Sequence, residues 1–121
     1  MEETITVPAK AAMVPAVRRG VCGLLPGFDR LDDVELVVSE LLTSAIRASS
    51  GDITLRLIDT GDIRIEIQDL RGRHPRLDGG GDDHVVNGLG LASAIADRIG
   101  SVRHRSGNCT TWAVIRSIRI P

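Results

Sequence analysis

The chain has 121 residues, the size of one ordinary domain. Its formal net charge of −1 argues against a polybasic nucleic-acid or membrane-surface protein. Aromatic residues make up only 2%, so the chain lacks the stacking platforms that bind single-stranded nucleic acids. It shows no long apolar run, no signal-like segment and no paired-cysteine motif. We therefore expect a single cytoplasmic domain over residues 1–121 that binds neither nucleic acid nor a membrane.

The first part of the chain carries one strand pattern and two helix patterns. Thr4–Val7 alternates and stops at a proline, which is typical of an edge strand. Valines at helical spacing then predict a first helix that ends by Gly23. A stronger helical pattern covers Asp33–Ala48, and Asp32 and Glu35 at its start have the spacing of a capping box.

The second part is predicted to contain two hairpins, separated by a lid and a helix. Period-two alternation indicates the strands, whereas the lid has no pattern and is longer than most connections in a small domain. The elements expected here are strands at Ile53–Leu57 and Ile63–Ile67, a lid at about 70–87, a helix from Gly88 to about Ile99 closed by Gly100, and strands at Val102–Arg105 and Thr110–Arg116. This order predicts a two-layer α/β sandwich, in which a mixed, mostly antiparallel sheet is covered on one face by three helices.

One face of the second predicted helix is polar beside a broad apolar face. Its members, at positions i, i+3, i+4 and i+7, are Glu40, Thr43, Ser44 and Arg47. Taken alone, this face is better explained as a solvated stripe on an amphipathic helix than as a site.

Two further features follow the strands. Strand parity places Asp69 on the same side as the isoleucines before it, where a carboxylate is costly unless it finds a donor. The alternative, that Asp69 already lies in the loop, has equal weight. The run Gly88, Leu89, Gly90 and Leu91 then precedes a helix, and its glycines would let the backbone approach a phosphate. As a lone motif this run is weak, and an ordinary loop-to-helix turn accounts for it.

In this order the three features resemble the GHKL (Bergerat-fold) ATPases, most closely the small anti-sigma-factor serine kinases and other histidine-kinase-like ATPase domains. The strongest block is Asp32–Ala45, which is similar to the N-box helix of that family. The resemblance implies that Glu40 is the catalytic glutamate and that Arg47 helps to hold phosphates. Ser44 stands where the family has the asparagine that coordinates magnesium, so the N-box is degenerate.

The resemblance extends to both glycine boxes. It implies that Asp69 accepts the adenine amino group, and that Gly72 belongs to the first glycine box, although Arg71 occupies the place of its first glycine. The second glycine box, with amides directed toward the phosphates, matches Gly88, Leu89, Gly90 and Leu91. Thr110 corresponds to a threonine that supports the adenine site.

The resemblance implies a regulatory switch that binds ATP and Mg²⁺, with Ser44 at the position that binds the magnesium ion. Its partners would be a sigma factor, an anti-sigma antagonist protein, or both, and the chain would form a homodimer. As a serine/threonine protein kinase, it would phosphorylate a serine of the antagonist. The alternative is a non-enzymatic interaction module that has lost efficient use of Mg-ATP, because a Ser44 hydroxyl reaches less far than an asparagine carbonyl.

Overall fold

The computed structural model of the chain describes residues 1–70 and 89–119. Within these ranges the chain forms five strands and three helices. In chain order they are β1 (Glu2–Val7), α1 (Met13–Gly23), α2 (Leu31–Ala48), β2 (Ile53–Asp59), β3 (Ile63–Leu70), α3 (Gly90–Ile95), β4 (Arg98–Arg103) and β5 (Asn108–Ile115). None of the helices in this part of the chain combines the length and apolar character of a membrane span.

The five strands form one sheet in the order β1-β2-β3-β5-β4. All four pairings are antiparallel, so the sheet is more regular than the mixed one expected from the sequence. β2 and β3 are joined by a tight turn, in which the Asp59 carboxylate accepts a hydrogen bond from the Gly61 amide at 2.9 Å. Gly61 has a φ of 106°, a conformation that side chains with a Cβ rarely adopt.

The core lies between one face of this sheet and the helices. Alternate residues of the strands are buried, as the period-two pattern predicts, and α2 covers β3 and β5. α1 and α3 each pack against α2. The fully buried side chains at the centre are Val34, Val37, Val38, Leu42, Ile53, Ile63, Ile65, Ile67 and Ile115. The predicted two-layer α/β sandwich, with three helices on one face, is therefore confirmed.

The third helix is shorter than the sequence pattern suggests. α3 ends at Ile95, and two residues later the Asp97 amide donates to Val114 O at 2.9 Å, which begins the pairing of β4 with β5. Gly100, read from the sequence as the helix stop, lies inside β4 opposite Trp112. A Cβ on Gly100 would sit 2.5 Å from Trp112 Cζ2, so this glycine makes room for the indole ring.

The ends of two other elements also differ from expectation. α2 begins at Leu31 rather than Asp33, and no side chain caps it, so the expected capping box is absent. Its first-turn acids, which include Asp33, still favour the positive end of the helix. β3 continues through Leu70, so the expected lid starts no earlier than residue 71, and residues 71–88 lie outside the described ranges.

Candidate functional site

The polar face of α2 is more deeply placed than a solvated stripe would be. Glu40 and Ser44 are half-buried, as is Thr43 between them, while Arg47 is exposed. Ser39, one residue before Glu40, hydrogen-bonds through its hydroxyl to Glu35 O at 2.9 Å. In contrast, no hydrogen bond or ion pair within residues 1–70 and 89–119 engages the side chains of Glu40, Ser44 or Arg47. This face therefore offers polar groups that the described part of the chain does not itself use.

Asp69 is a buried carboxylate near the end of β3. It is only 2% exposed and follows Ile63, Ile65 and Ile67 on the helix-facing side of the strand, so parity holds to this position. Its pairing partner across the sheet is Cys109 of β5. Burial of a carboxylate in an apolar core is unfavourable unless it has polar partners, so an acid at this position depends on polar contacts rather than on apolar packing.

Thr111 lies beside Asp69 on the neighbouring strand. It is 4% exposed, is paired with Ile67, and is therefore a diagonal neighbour of Asp69 on the same side of the sheet. Its Oγ1 is buried and has no hydrogen-bond partner in the described part of the chain. A buried hydroxyl without a partner is uncommon in folded proteins and calls for an explanation such as a ligand or a water.

The structure does not bring Thr110 to this cluster. Thr110 lies on the opposite face of β5, where its Oγ1 is 2.9 Å from His104 Nε2. Thr111, rather than Thr110, is thus the β5 threonine on the same side of the sheet as Asp69, and sequence reasoning did not single it out. The signal was present, because counting back in steps of two from the buried residues Ile115 and Ala113 reaches Thr111 rather than Thr110.

The end of β3 and the C-terminal end of α2 meet at one edge of the fold. Ser50, two residues beyond α2, donates both its amide and its hydroxyl to Leu70 O, at 2.8 and 2.9 Å. Asp69 precedes Leu70 and faces the helix layer. Because Ser50 follows the end of α2, these two bonds bring the later turns of α2, which carry Ser44 and Arg47, toward the same edge as the buried carboxylate.

The entry to α3 completes the described part of this region. Leu89 is buried in the core, whereas Leu91 is 58% exposed. A Cβ on Gly90, the first residue of α3, would meet no atom of the described residues within 4 Å. Gly72 and Gly88, the other glycines expected at the site, fall within residues 71–88 and so lie outside the described ranges.

No preformed metal centre is found among the described side chains. In residues 1–70 and 89–119, no group of three or more histidine, cysteine, aspartate or glutamate side chains could hold an ion. The oxygen donors on the polar face of α2 are few, with Glu40 and Ser44 one helical turn apart. Such a sparse set suits Mg²⁺ only where the ion keeps waters and shares phosphate oxygens with a nucleotide.

Comparisons with known proteins support the fold. No family model and no curated protein matches the chain. Among solved structures, the chain is similar to the one described as the RsbU and RsbW domains of Rv1364c from Mycobacterium tuberculosis. The TM-score is 0.75 at 20% identity, with 99% of this chain and 33% of that chain covered. The chain thus spans about a third of that structure, and the two share a fold.

Proposed function

We propose that this chain binds an adenine nucleotide between the polar face of α2, the end of β3 and the entry to α3. The observation that carries the proposal is the burial of Asp69 on the helix-facing side of the sheet, next to the Thr111 hydroxyl. A carboxylate accepts a hydrogen bond from the exocyclic amino group of adenine, whereas guanine presents a carbonyl oxygen there. A site built on such a bond discriminates strongly against a base that cannot make it.

The polar face of α2 would serve the phosphate end of the nucleotide. Arg47 is exposed and lies one turn beyond Ser44, so its charge is available to phosphate oxygens. Ser44 and Glu40 would hold Mg²⁺ through its waters, and the bound ion neutralises phosphate charge. Leu89, Gly90 and Leu91 would bring backbone close to the phosphates, as the resemblance of this run to the second glycine box implies.

We infer from the same resemblance that the chain is a regulatory switch of the anti-sigma type that acts through contact with a protein partner. The fold shared with a structure that contains an RsbW domain supports this class. The proposed partners are a sigma factor or its antagonist, and the proposed assembly is a homodimer. In the kinase form of the proposal, Glu40 accepts the proton of a partner serine hydroxyl, whose oxygen bonds to the γ-phosphorus of ATP while the bond to the β,γ-bridging oxygen breaks and ADP leaves.

A second candidate function is a non-enzymatic interaction module. It is favoured by one observation, the hydroxyl of Ser44 where phosphoryl transfer needs a firmly held metal ion. A serine reaches less far than an amide and leaves the ion more loosely placed. In this form the nucleotide site persists without efficient transfer, and the output is partner capture alone.

Calorimetric titration tests the nucleotide site. We expect ATP and ADP to bind, GTP to bind much more weakly, and Asp69→Asn to lose much of the affinity, because a neutral amide replaces the charged acceptor and only one of its two terminal atoms can accept from the adenine amino group. Asp52→Asn is the matched control, since Asp52 is exposed and precedes β2. Absence of ATP and ADP binding by the unchanged chain at millimolar concentration would overturn the proposal.

Ser44→Asn separates the two candidate functions. If the chain is a weakened kinase, the added amide increases Mg²⁺-dependent ATP affinity and phosphate transfer to a serine substrate. Ser39→Asn, five residues earlier on α2, should increase neither. If the unchanged chain and Ser44→Asn both bind ATP but neither transfers phosphate, the chain is an interaction module.

A further inference from the structure

Arg30, the residue just before α2, donates four hydrogen bonds to four different residues. Its side chain is only 15% exposed. Its Nε donates to Asp33 Oδ2 at 2.8 Å, and its Nη1 donates to Asp97 Oδ2 at 2.7 Å and to Arg116 O at 3.2 Å. Its Nη2 donates to Ile95 O at 2.9 Å. One guanidinium therefore joins the first turn of α2, the last residue of α3, the approach to β4 and the chain beyond β5.

These contacts matter most for α3, because this helix has little apolar anchorage of its own. It is six residues long, Ala92 is its one fully buried side chain, Ile95 is partly buried against the core, and Leu89 is buried just before it. Short helices are marginal without tertiary support. The Arg30 bond to Ile95 O satisfies one of the carbonyls that a helix leaves free at its C-terminal end.

The two carboxylates strengthen the same link. Asp97 also accepts the Arg116 amide at 2.8 Å, and this bond, together with Arg30, holds the pKa of Asp97 below its usual value although partial burial opposes ionisation. Asp33 and Asp97 both approach the guanidinium within 2.8 Å, so two charge-assisted bonds fix its orientation. A planar fork of five donors fits acceptors in several directions, which a lysine ammonium does only in part.

We propose that Arg30 is a positioning residue of the nucleotide site, which holds α3 and the Leu89–Leu91 turn in a fixed place relative to α2. This inference rests on the proposed function. Among the described contacts Arg30 touches neither Glu40 nor Asp69, so it acts through the two helices. Loss of the Arg30 side chain would allow the entry to α3 to move away from the polar face of α2. Nucleotide affinity would then fall, although no group that touches the nucleotide is removed.

The test measures local opening and nucleotide affinity in the same variants. Hydrogen exchange without nucleotide follows the α3 amides of Ser93 and Ala96, which bond to Leu89 O and Ala92 O, with the buried middle of α2 as reference. In Arg30→Gln we expect the α3 amides to exchange about tenfold faster relative to α2, and ATP affinity to fall about tenfold, as for one lost bond to a charged group. In Arg30→Lys, both exchange and ATP affinity should lie between those of Arg30→Gln and those of the unchanged chain.

Arg56→Gln is the matched control, because Arg56 also has two acidic partners but lies on the solvent face of the sheet. It should change neither measurement. Unchanged exchange in α3, equal acceleration in α2 and α3, or unaltered ATP affinity in Arg30→Gln would overturn the positioning role. Failure of the unchanged chain to bind ATP would instead overturn the proposed function, and the exchange data would still show whether Arg30 holds α3.

Discussion

The two faces of the sheet accommodate charge in opposite ways. On the solvent face, Arg56 pairs with Glu2 and Glu66 at 2.8 and 3.1 Å, and Arg64 pairs with Glu66 at 2.7 Å. Arg64 also stacks over the Trp112 ring, 4.6 Å from its centroid. On the helix-facing side, the buried strand residues in the described part of the chain are apolar or weakly polar, apart from Asp69 and Thr111.

This difference shows which polar residues the fold itself explains. Charges on the solvent face account for one another, as cross-strand neighbours in a regular register. Asp69 and Thr111 instead lie toward one end of β3 and β5, whereas the other end of the same strands pairs Ile63 with Ile115. These polar groups are confined to one end of the core, beside the polar face of α2, where the proposed nucleotide site lies.

The largest expected contrast between the faces comes from side-chain truncation. Ile65→Ala removes a fully buried side chain, so we expect a loss of about 2–5 kcal/mol in the free energy of unfolding. Val114→Ala on the solvent face should cost less than about 1.5 kcal/mol. Urea unfolding followed by fluorescence of Trp112, the chain's one tryptophan, measures both. Equal losses would mean that the helices do not define the core as described.

The next effect concerns the close approach of Gly100 and Trp112 on the solvent face. A Cβ at position 100 would collide with the indole ring, so Gly100→Ala should cost about 1–3 kcal/mol. Gly20→Ala is the control: Gly20 lies in α1 with open space around its Cβ position and should gain up to about 1 kcal/mol. In a Trp112→Leu background the cost at Gly100 should largely disappear, and persistence of the full cost would contradict the steric explanation.

Gly100 also shows where sequence reasoning reaches its limit for the fold. Period-two and helical patterns predicted the five strands and three helices of the described ranges, most reliably α2, β2, β3 and β5, which bury one apolar side in the core. The end of α3 was misplaced because a glycine after an apolar residue is typical of a helix stop. Its actual role depends on Trp112, which the sheet register places opposite it. Tertiary pairing, which no local pattern reveals, decided this boundary.

Sequence patterns predict some residues of the candidate site but not others. Strand parity was enough to place Asp69 on the helix-facing side, and parity on β5 would have selected Thr111 over Thr110. Arg30 carried no comparable signal, because its partners Ile95 and Arg116 lie 65 and 86 residues away in the chain. A polar contact network that joins distant segments becomes visible only in the folded chain.

A smaller effect, of opposite sign, is expected at Thr111. Its hydroxyl is buried without a partner in the described residues, so Thr111→Val should raise the free energy of unfolding by about 1 kcal/mol. The same variant should weaken ATP binding. Thr110→Val is the control on the other face, where loss of the hydroxyl contact with His104 should be neutral or slightly destabilising. A destabilised Thr111→Val would show that a bound water satisfies the hydroxyl.

The smallest expected effect is on the charged ladder of the solvent face. Arg56 is 44% exposed, so water screens its ion pairs and Arg56→Gln should lower the free energy of unfolding at pH 7 by less than any of the changes above. Arg47→Gln is the control, because Arg47 is exposed and forms no ion pair with any described residue.

The stability difference between Arg56→Gln and the unchanged chain should depend on pH, because Arg56 pairs with Glu66. Partial burial opposes ionisation of Glu66, but hydrogen bonds from Arg64 and Arg56 outweigh it and hold the pKa of Glu66 below its usual value. The unfolded chain therefore binds this proton more readily than the folded chain. The stabilisation is complete above the ordinary glutamate pKa of about 4.3 and is lost as pH falls through the lower pKa of the folded state.

Arg56→Gln should thus be less stable than the unchanged chain at pH 7, and the difference in free energy of unfolding should close at pH values below the folded-state pKa. A gap that is constant with pH would mean that Arg56 stabilises the sheet by packing of its aliphatic stem rather than by charge.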